Sequence, residues 1–174
     1  MKKILLTVAL LVTAFAVQAG ELDSPRQVNN VTIYDINGNL TQLPEWGRKN
    51  LFIFFVDPDA YVGNNSNKDF SAELEKNGRA GGDNILGFGI INTADTKLPK
   101  GLIRNLCKKR CEKNNALILD DRSGTLARMW GLGNCDGKFM LMVVNKKGEI
   151  VYLQKEEITS AGKEEFYNMI EKYK

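Results

Sequence analysis

The chain has 174 residues, no histidine and three cysteines, and its 24 lysines and arginines nearly balance 21 aspartates and glutamates. Without histidine there is no serine–histidine or cysteine–histidine nucleophile and no imidazole zinc site. Nothing in the formal net charge of +3 argues for nucleic acid or for an acidic membrane surface.

Lys2 and Lys3 precede an uncharged apolar run, Ile4 to Val17, and Val17-Gln18-Ala19 then forms a small-residue cleavage pattern before Gly20. A cleavable signal peptide over residues 1–19 is expected, followed by a single domain over 20–174. The run is short for a bilayer span, and no later segment is long and apolar enough for one. No stable membrane insertion is therefore expected after cleavage, and Gly20 in place of cysteine argues against a lipid anchor. The expected address is the periplasm, with the extracellular space as the alternative. There, an odd number of cysteines makes one disulfide and one leftover thiol the default.

Val31 to Tyr34 and Leu40 to Leu43 flank an Asn37-Gly38 turn and read as a β-hairpin. Leu51 to Val56 is continuously apolar, as a strand covered on both faces should be. It runs into Asp57-Pro58-Asp59 and then into Ser66-Asn67-Lys68-Asp69, a capping-box pattern opening a helix that Gly78 ends. Ile85 to Ile91 is a second buried strand. Pro99 suits a helix first turn, after which Leu102, Ile103, Leu106, Cys107 and Cys111 fall on one helical face. Ala116 to Leu119 is a third strand. Ser123 then opens a helix with Leu126, Met129 and Trp130 inward, stopped by Gly131. Phe139 to Val144 and Glu149 to Leu153 form a second hairpin, and Ser160 opens the last helix.

The order is hairpin, βαβαβα, hairpin, α. Strands alternating with helices imply right-handed crossovers and parallel pairing in the middle of the sheet. The fold class is thus α/β, a three-layer α/β/α sandwich with a mixed central sheet and an N-terminal β-hairpin.

The local text carries a resemblance. Asp35-Ile36-Asn37-Gly38, Asp120 to Leu132 with its Trp130-Gly131 pair, and Val143 to Val151 resemble the corresponding segments of periplasmic redoxins, which have the thioredoxin-like fold. Ile90-Ile91-Asn92-Thr93-Ala94-Asp95, Ile118 to Gly124 and Ala127 to Leu132 narrow the likeness to the YtfJ-type family of exported bacterial thioredoxin-like proteins. The resemblance covers most of residues 28–173. It implies the fold and a periplasmic address, and no particular reaction.

Two departures from working thioredoxins stand out. These enzymes hold their reactive cysteine at the strand-to-helix junction, where the helix dipole and backbone N–H groups lower a thiol's pKa. Residues Asp57 to Ser66 contain no cysteine. Thioredoxins also place a cis-proline before the hairpin strand, and Asn134 to Phe139 has no proline.

The redox candidates that remain are Cys107, Cys111 and Cys135. Cys107 and Cys111 share a helix face, but at a Cβ separation of about 5–6 Å in a regular helix, against about 3.8 Å for a disulfide. A bond between them requires a distorted or ended helix. Cys135 lies in the loop replacing the cis-proline segment, where the fold places it beside the empty junction. All three pairings stay open. At the junction, Asp57, Asp59, Tyr61, Asn64 and Asn65 are candidates for a binding loop. A calcium-loop template fails there, since Tyr61, Val62 and Lys68 stand where ligands, a glycine and a glutamate are needed. No metal and no cofactor are expected, and the partner expected is another periplasmic protein. The first reading is therefore a non-catalytic module. The alternative is a thiol–disulfide oxidoreductase or peroxidase-like protein using Cys135 with Cys107 or Cys111.

Overall fold

The computed structural model describes residues 20–62 and 65–174. The expected signal peptide and Asn64 lie outside the described residues. Among those described, the strands β1 (Gly20–Gln27), β2 (Thr32–Asp35), β3 (Leu40–Gln42), β4 (Asn50–Val56), β5 (Ile85–Ile91), β6 (Ile118–Asp120), β7 (Phe139–Val144) and β8 (Glu149–Gln154) form one sheet in the order β1-β8-β7-β4-β5-β6-β2-β3. β4, β5 and β6 pair in parallel, as the alternating βα order demands. β7 joins β4 antiparallel and closes a hairpin with β8. The sheet is mixed, and the hairpin β2–β3 docks antiparallel on β6.

β1 escapes sequence reading. Gly-Glu-Leu-Asp-Ser-Pro-Arg-Gln has no apolar alternation and carries Pro25. It is an edge strand on β8, held through the backbone, and its register shifts between Glu21 and Arg26. An edge or a bulge is where proline is tolerated in a sheet.

The helices are α1 (Pro58–Val62), α2 (Ser66–Asn77), α3 (Lys100–Asn114), α4 (Thr125–Met129) and α5 (Ser160–Ile170). On one face of the sheet, Phe52, Leu141, Val143 and Tyr152 bury against Phe70 and Leu74 of α2 and Phe166 and Ile170 of α5. On the other face, Ile53, Phe55, Ile90, Met140 and Met142 bury with Leu126 of α4, Trp130 and the N-terminal residues Val28 and Val31. Trp130 is packed 6.0 Å from Trp46, centroid to centroid, and donates its indole N–H to the Asn29 carbonyl at 2.9 Å. No helix among the described residues is long and apolar enough to cross a membrane.

Local expectations change in three helices. The α2 N-cap is Asn65, one residue before the expected Ser66; its side-chain oxygen accepts from the N–H of Asn67 and Lys68. Gly78 ends the helix at φ 65, a left-handed conformation that glycine adopts freely. In α4 the cap is supplied from a distance: the Asp121 carboxylate accepts from Thr125 N–H at 2.6 Å and Ala127 N–H at 3.2 Å. With the helix so turned, Met129 is 59 % exposed and Ala127 takes the inward place expected for it. On α3 only Ile103, Cys107 and Cys111 turn inward, toward Ile91 and Ile118. Leu102 and Leu106 are exposed.

Candidate functional site

The end of β4 delivers Asp57 into the interior, fully buried. Its backbone N–H donates to the Lys138 carbonyl at 2.9 Å, and its own carbonyl accepts from Ala60 N–H at 3.0 Å. One carboxylate oxygen accepts from Asp59 N–H at 3.0 Å, capping α1, and the other from Gly137 N–H at 2.7 Å. Asp57 thus stitches the junction to the loop that precedes β7. That loop contains no proline. Burial is the main influence on the carboxyl and pushes its pKa above the usual aspartate range; the two N–H donors oppose it.

Asp59 faces the next loop. Its oxygens accept from the Thr96 hydroxyl at 3.0 Å and from Lys97 N–H at 2.9 Å. The Lys97 N–H is also the first cause holding Asp59 below the usual range. Lys97 Nζ in turn reaches Asp136 at 3.4 Å. Oxygens of Asp57, Asp59 and Asp136 lie within 4.8 Å of one another. Backbone N–H groups, a hydroxyl and one ammonium account for them, so the cluster works as an internal tie between three loops.

Of the binding-loop candidates, Asp57 and Asn65 therefore spend their side chains inside the fold, and Asp59 is engaged by Thr96 and Lys97. Tyr61 is 40 % exposed. Its ring packs 5.9 Å from Phe139, and its hydroxyl accepts from the Arg110 guanidinium of α3.

The thiols also differ from expectation. All three are free. α3 continues as a regular helix through both Cys107 and Cys111, so the distortion that a disulfide between them needs is absent. Both are half-buried against the isoleucines of β5 and β6. Burial pushes Cys107 up to about 11 and raises Cys111. Cys135 is brought near the junction, as the fold implied, but it is buried, only 2 % exposed. Burial, with the carboxylates of Asp95, Asp121 and Asp57 adding repulsion, pushes it up to about 11.

Sequence reasoning missed several residues that shape this end of the sheet. Asn67 is buried; its amide donates to the Phe139 carbonyl at 2.7 Å and the Glu156 carbonyl at 2.9 Å, and its oxygen accepts from Ile158 N–H at 2.7 Å. Nothing in the sequence distinguishes it from a surface asparagine of the helix. Asp120, fully buried, accepts from the Thr93 hydroxyl at 2.6 Å and Arg122 Nε at 2.8 Å, and pairs with Arg104 of α3 at 3.4 Å. The adjacent acids Asp120-Asp121 at a strand's end were the available signal.

The Asp57 tie can be tested directly. Asp57→Ala frees the Gly137 N–H, and its hydrogen exchange should quicken at least about tenfold while amides inside β4 keep their rates. The pH dependence follows from the raised pKa. Folded Asp57 holds its proton to higher pH than unfolded aspartate does, so stability falls as pH rises from about 3.9 through the folded value. Replacement by alanine should flatten that part of a pH–stability curve. An unchanged Gly137 exchange rate would show that the loop does not depend on Asp57.

The parallel core strands, the flanking helices and the strand-to-helix junction define a thioredoxin-like fold whose junction holds a buried carboxylate instead of a thiol. Solved structures agree on the fold. The chain is similar to an exposed lipoprotein thioredoxin from Streptococcus pneumoniae, with a TM-score of 0.57 and 14% identity over 81% of this chain and 99% of that one. It is also similar to a DsbF homologue from Corynebacterium diphtheriae, at TM-score 0.60 and 12% identity over 83% and 87% of the two chains. A peroxiredoxin-like protein from Aquifex aeolicus superposes at TM-score 0.58 and 14% identity over 90% of each. At these identities the likeness is one of fold. No family model matches the sequence, and no curated protein matches it significantly.

Proposed function

We propose that this is an exported, YtfJ-type thioredoxin-like protein that works by non-covalent binding and not by thiol–disulfide exchange. The observation that carries the reading is Asp57. It occupies the junction, fully buried, and uses one oxygen to cap α1 and the other to fasten the facing loop, leaving no place for an attacking sulfur. The buried thiol of Cys135 supports it: a pKa of about 11 leaves its thiolate roughly two orders of magnitude scarcer at pH 7 than in a free cysteine. Export rests on the Lys2-to-Ala19 pattern, and the family on the motifs between Ile90 and Val151. The loops around Asp57 to Asn65 and Asn134 to Lys138, with Tyr61 exposed between them and α3, are where a periplasmic protein partner would meet the domain. The reading calls for no cofactor.

Thiol counting tests it. With a chromogenic disulfide reagent at pH 7, Cys135 of the native protein should react at least about a hundredfold more slowly than in denaturant, where all three cysteines should report. Stability should also fall between about pH 8.5 and 11, because the unfolded chain loses its thiol protons first. Cys135→Ala should remove about 3 kcal/mol of that fall, a raised pKa being worth about 1.4 kcal/mol per unit. A thiol reacting at native rates close to the denatured ones, or a native disulfide in equilibrium with a glutathione buffer, would overturn the proposal in favour of the oxidoreductase reading.

A further inference from the structure

β5 contains an anomaly. It is a central strand, between β4 and β6, yet Gly87 and Gly89 place no side chain on the face that α2 and α3 should cover. Gly87 is exposed there. Neither glycine has a positive φ, so the backbone does not require them. Nor does crowding: a Cβ on Gly87 would meet only a Phe52 ring carbon at 4.0 Å, and one on Gly89 only Ile118 and the Leu117 carbonyl at 3.6 Å and beyond. Glycine inside a strand weakens it and marks a place where something approaches the backbone closely.

Above the glycines lies a cavity of about 1140 Å³ between the sheet, α2 and α3, slightly larger than the roughly 300–1,000 Å³ typical of small-molecule sites. Its floor is a trough about one strand wide, roughly 5 Å, bounded by β4 and β6. Phe54 and Ile118 stand on its two sides. Ser71, on the α2 wall, already donates to the Lys68 carbonyl at 2.8 Å. Of the six large hydrophobic side chains exposed among the described residues, four (Tyr61, Leu102, Leu106 and Leu117) line this cavity. At the rim, Arg110 bridges Tyr61 and Glu75, and Glu75 is half-exposed, free to turn outward. α3 carries Lys100, Arg104, Lys108, Lys109, Arg110 and Lys113 against the single acid Glu112.

From this we infer that the cavity binds a single-chain anionic amphiphile, a free fatty-acid carboxylate, with its hydrocarbon in the glycine-floored trough and its carboxylate on Arg110 in place of Glu75. A narrow apolar trough suits an unbranched chain, and a planar guanidinium suits a carboxylate. The inference rests on the reading above that the domain works by non-covalent binding, and adds to the protein-facing loops a separate small-molecule site.

The test uses the exported chain and monomeric dodecanoate and hexadecanoate, measured by titration calorimetry and by NMR of the isoleucine methyl groups. Saturable one-to-one binding that shifts Ile91 and Ile118 is expected. Gly87→Val and Gly89→Val fill the floor without backbone strain; they should fold as cooperatively as the parent and bind at least about tenfold more weakly. Arg110→Gln should weaken the carboxylate about tenfold and leave the methyl ester unchanged. The proposal is overturned if monomeric fatty acid does not saturate, if the valine variants bind like the parent, if only phospholipid vesicles bind, or if the ligand-free chain dimerises through Leu102 and Leu106. None of these outcomes bears on thiol inertness, so the two readings fail separately.

Discussion

Replacing Phe166 with alanine will cost about 3–5 kcal/mol. Phe166 is fully buried. Its ring centroid lies 5.1 Å from Phe52 on β4, 5.3 Å from Phe70 on α2, 5.3 Å from Tyr152 on β8 and 6.0 Å from Tyr167. Truncation therefore leaves a void touching two helices and two strands, none of which can close it alone. Domains of this size carry only about 5–15 kcal/mol in total, so the denaturant midpoint should fall by about a fifth or more. Phe54 is the control. It sits on the same strand but at the cavity edge, only partly buried, and Phe54→Ala should cost less than half as much. Equal losses would mean that the cavity is closed in solution.

Asp120→Ala is expected to cost about 3 kcal/mol, since removing one partner of a buried ion pair strands the others. The Thr93 hydroxyl loses its acceptor, and Arg104 and Arg122 lose the charge they share. Both arginines are partly exposed, about a quarter to a third, and can turn to water, which keeps the loss at the lower end of the range. Asp120→Asn should recover part of it through the Thr93 bond. Arg104 is also a clamp between α3 and the sheet. Amides of α3 should accordingly exchange faster in Asp120→Ala than the global loss of stability explains. A loss below about 1 kcal/mol would show that solvent already screens these ions.

Much of the fold was legible because it follows from local periodicity. The apolar run Leu51 to Val56 and the Asn145-to-Gly148 turn each force one local structure, and βα alternation then forces the parallel pairing of β4, β5 and β6. β1 was illegible because an edge strand needs only backbone partners, and its residues carry no pattern. The cap of α4 was misread because Asp121 lies four residues before the first N–H it serves, beyond the reach of a local capping rule.

At the site, the sequence by itself determined what is missing: histidine, a junction cysteine and a proline before β7. These are absences of atoms, and no folding can supply them. It also placed Cys135 near the junction, since topology brings the two loops together. Only the tertiary structure decided what fills the gap. Whether Asp57 points to water or inward, whether Cys135 is accessible, and whether Gly87 and Gly89 lie under a helix or under a cavity all depend on how distant segments pack. Burial and electrostatic environment belong to that packing, and a one-dimensional pattern does not encode them.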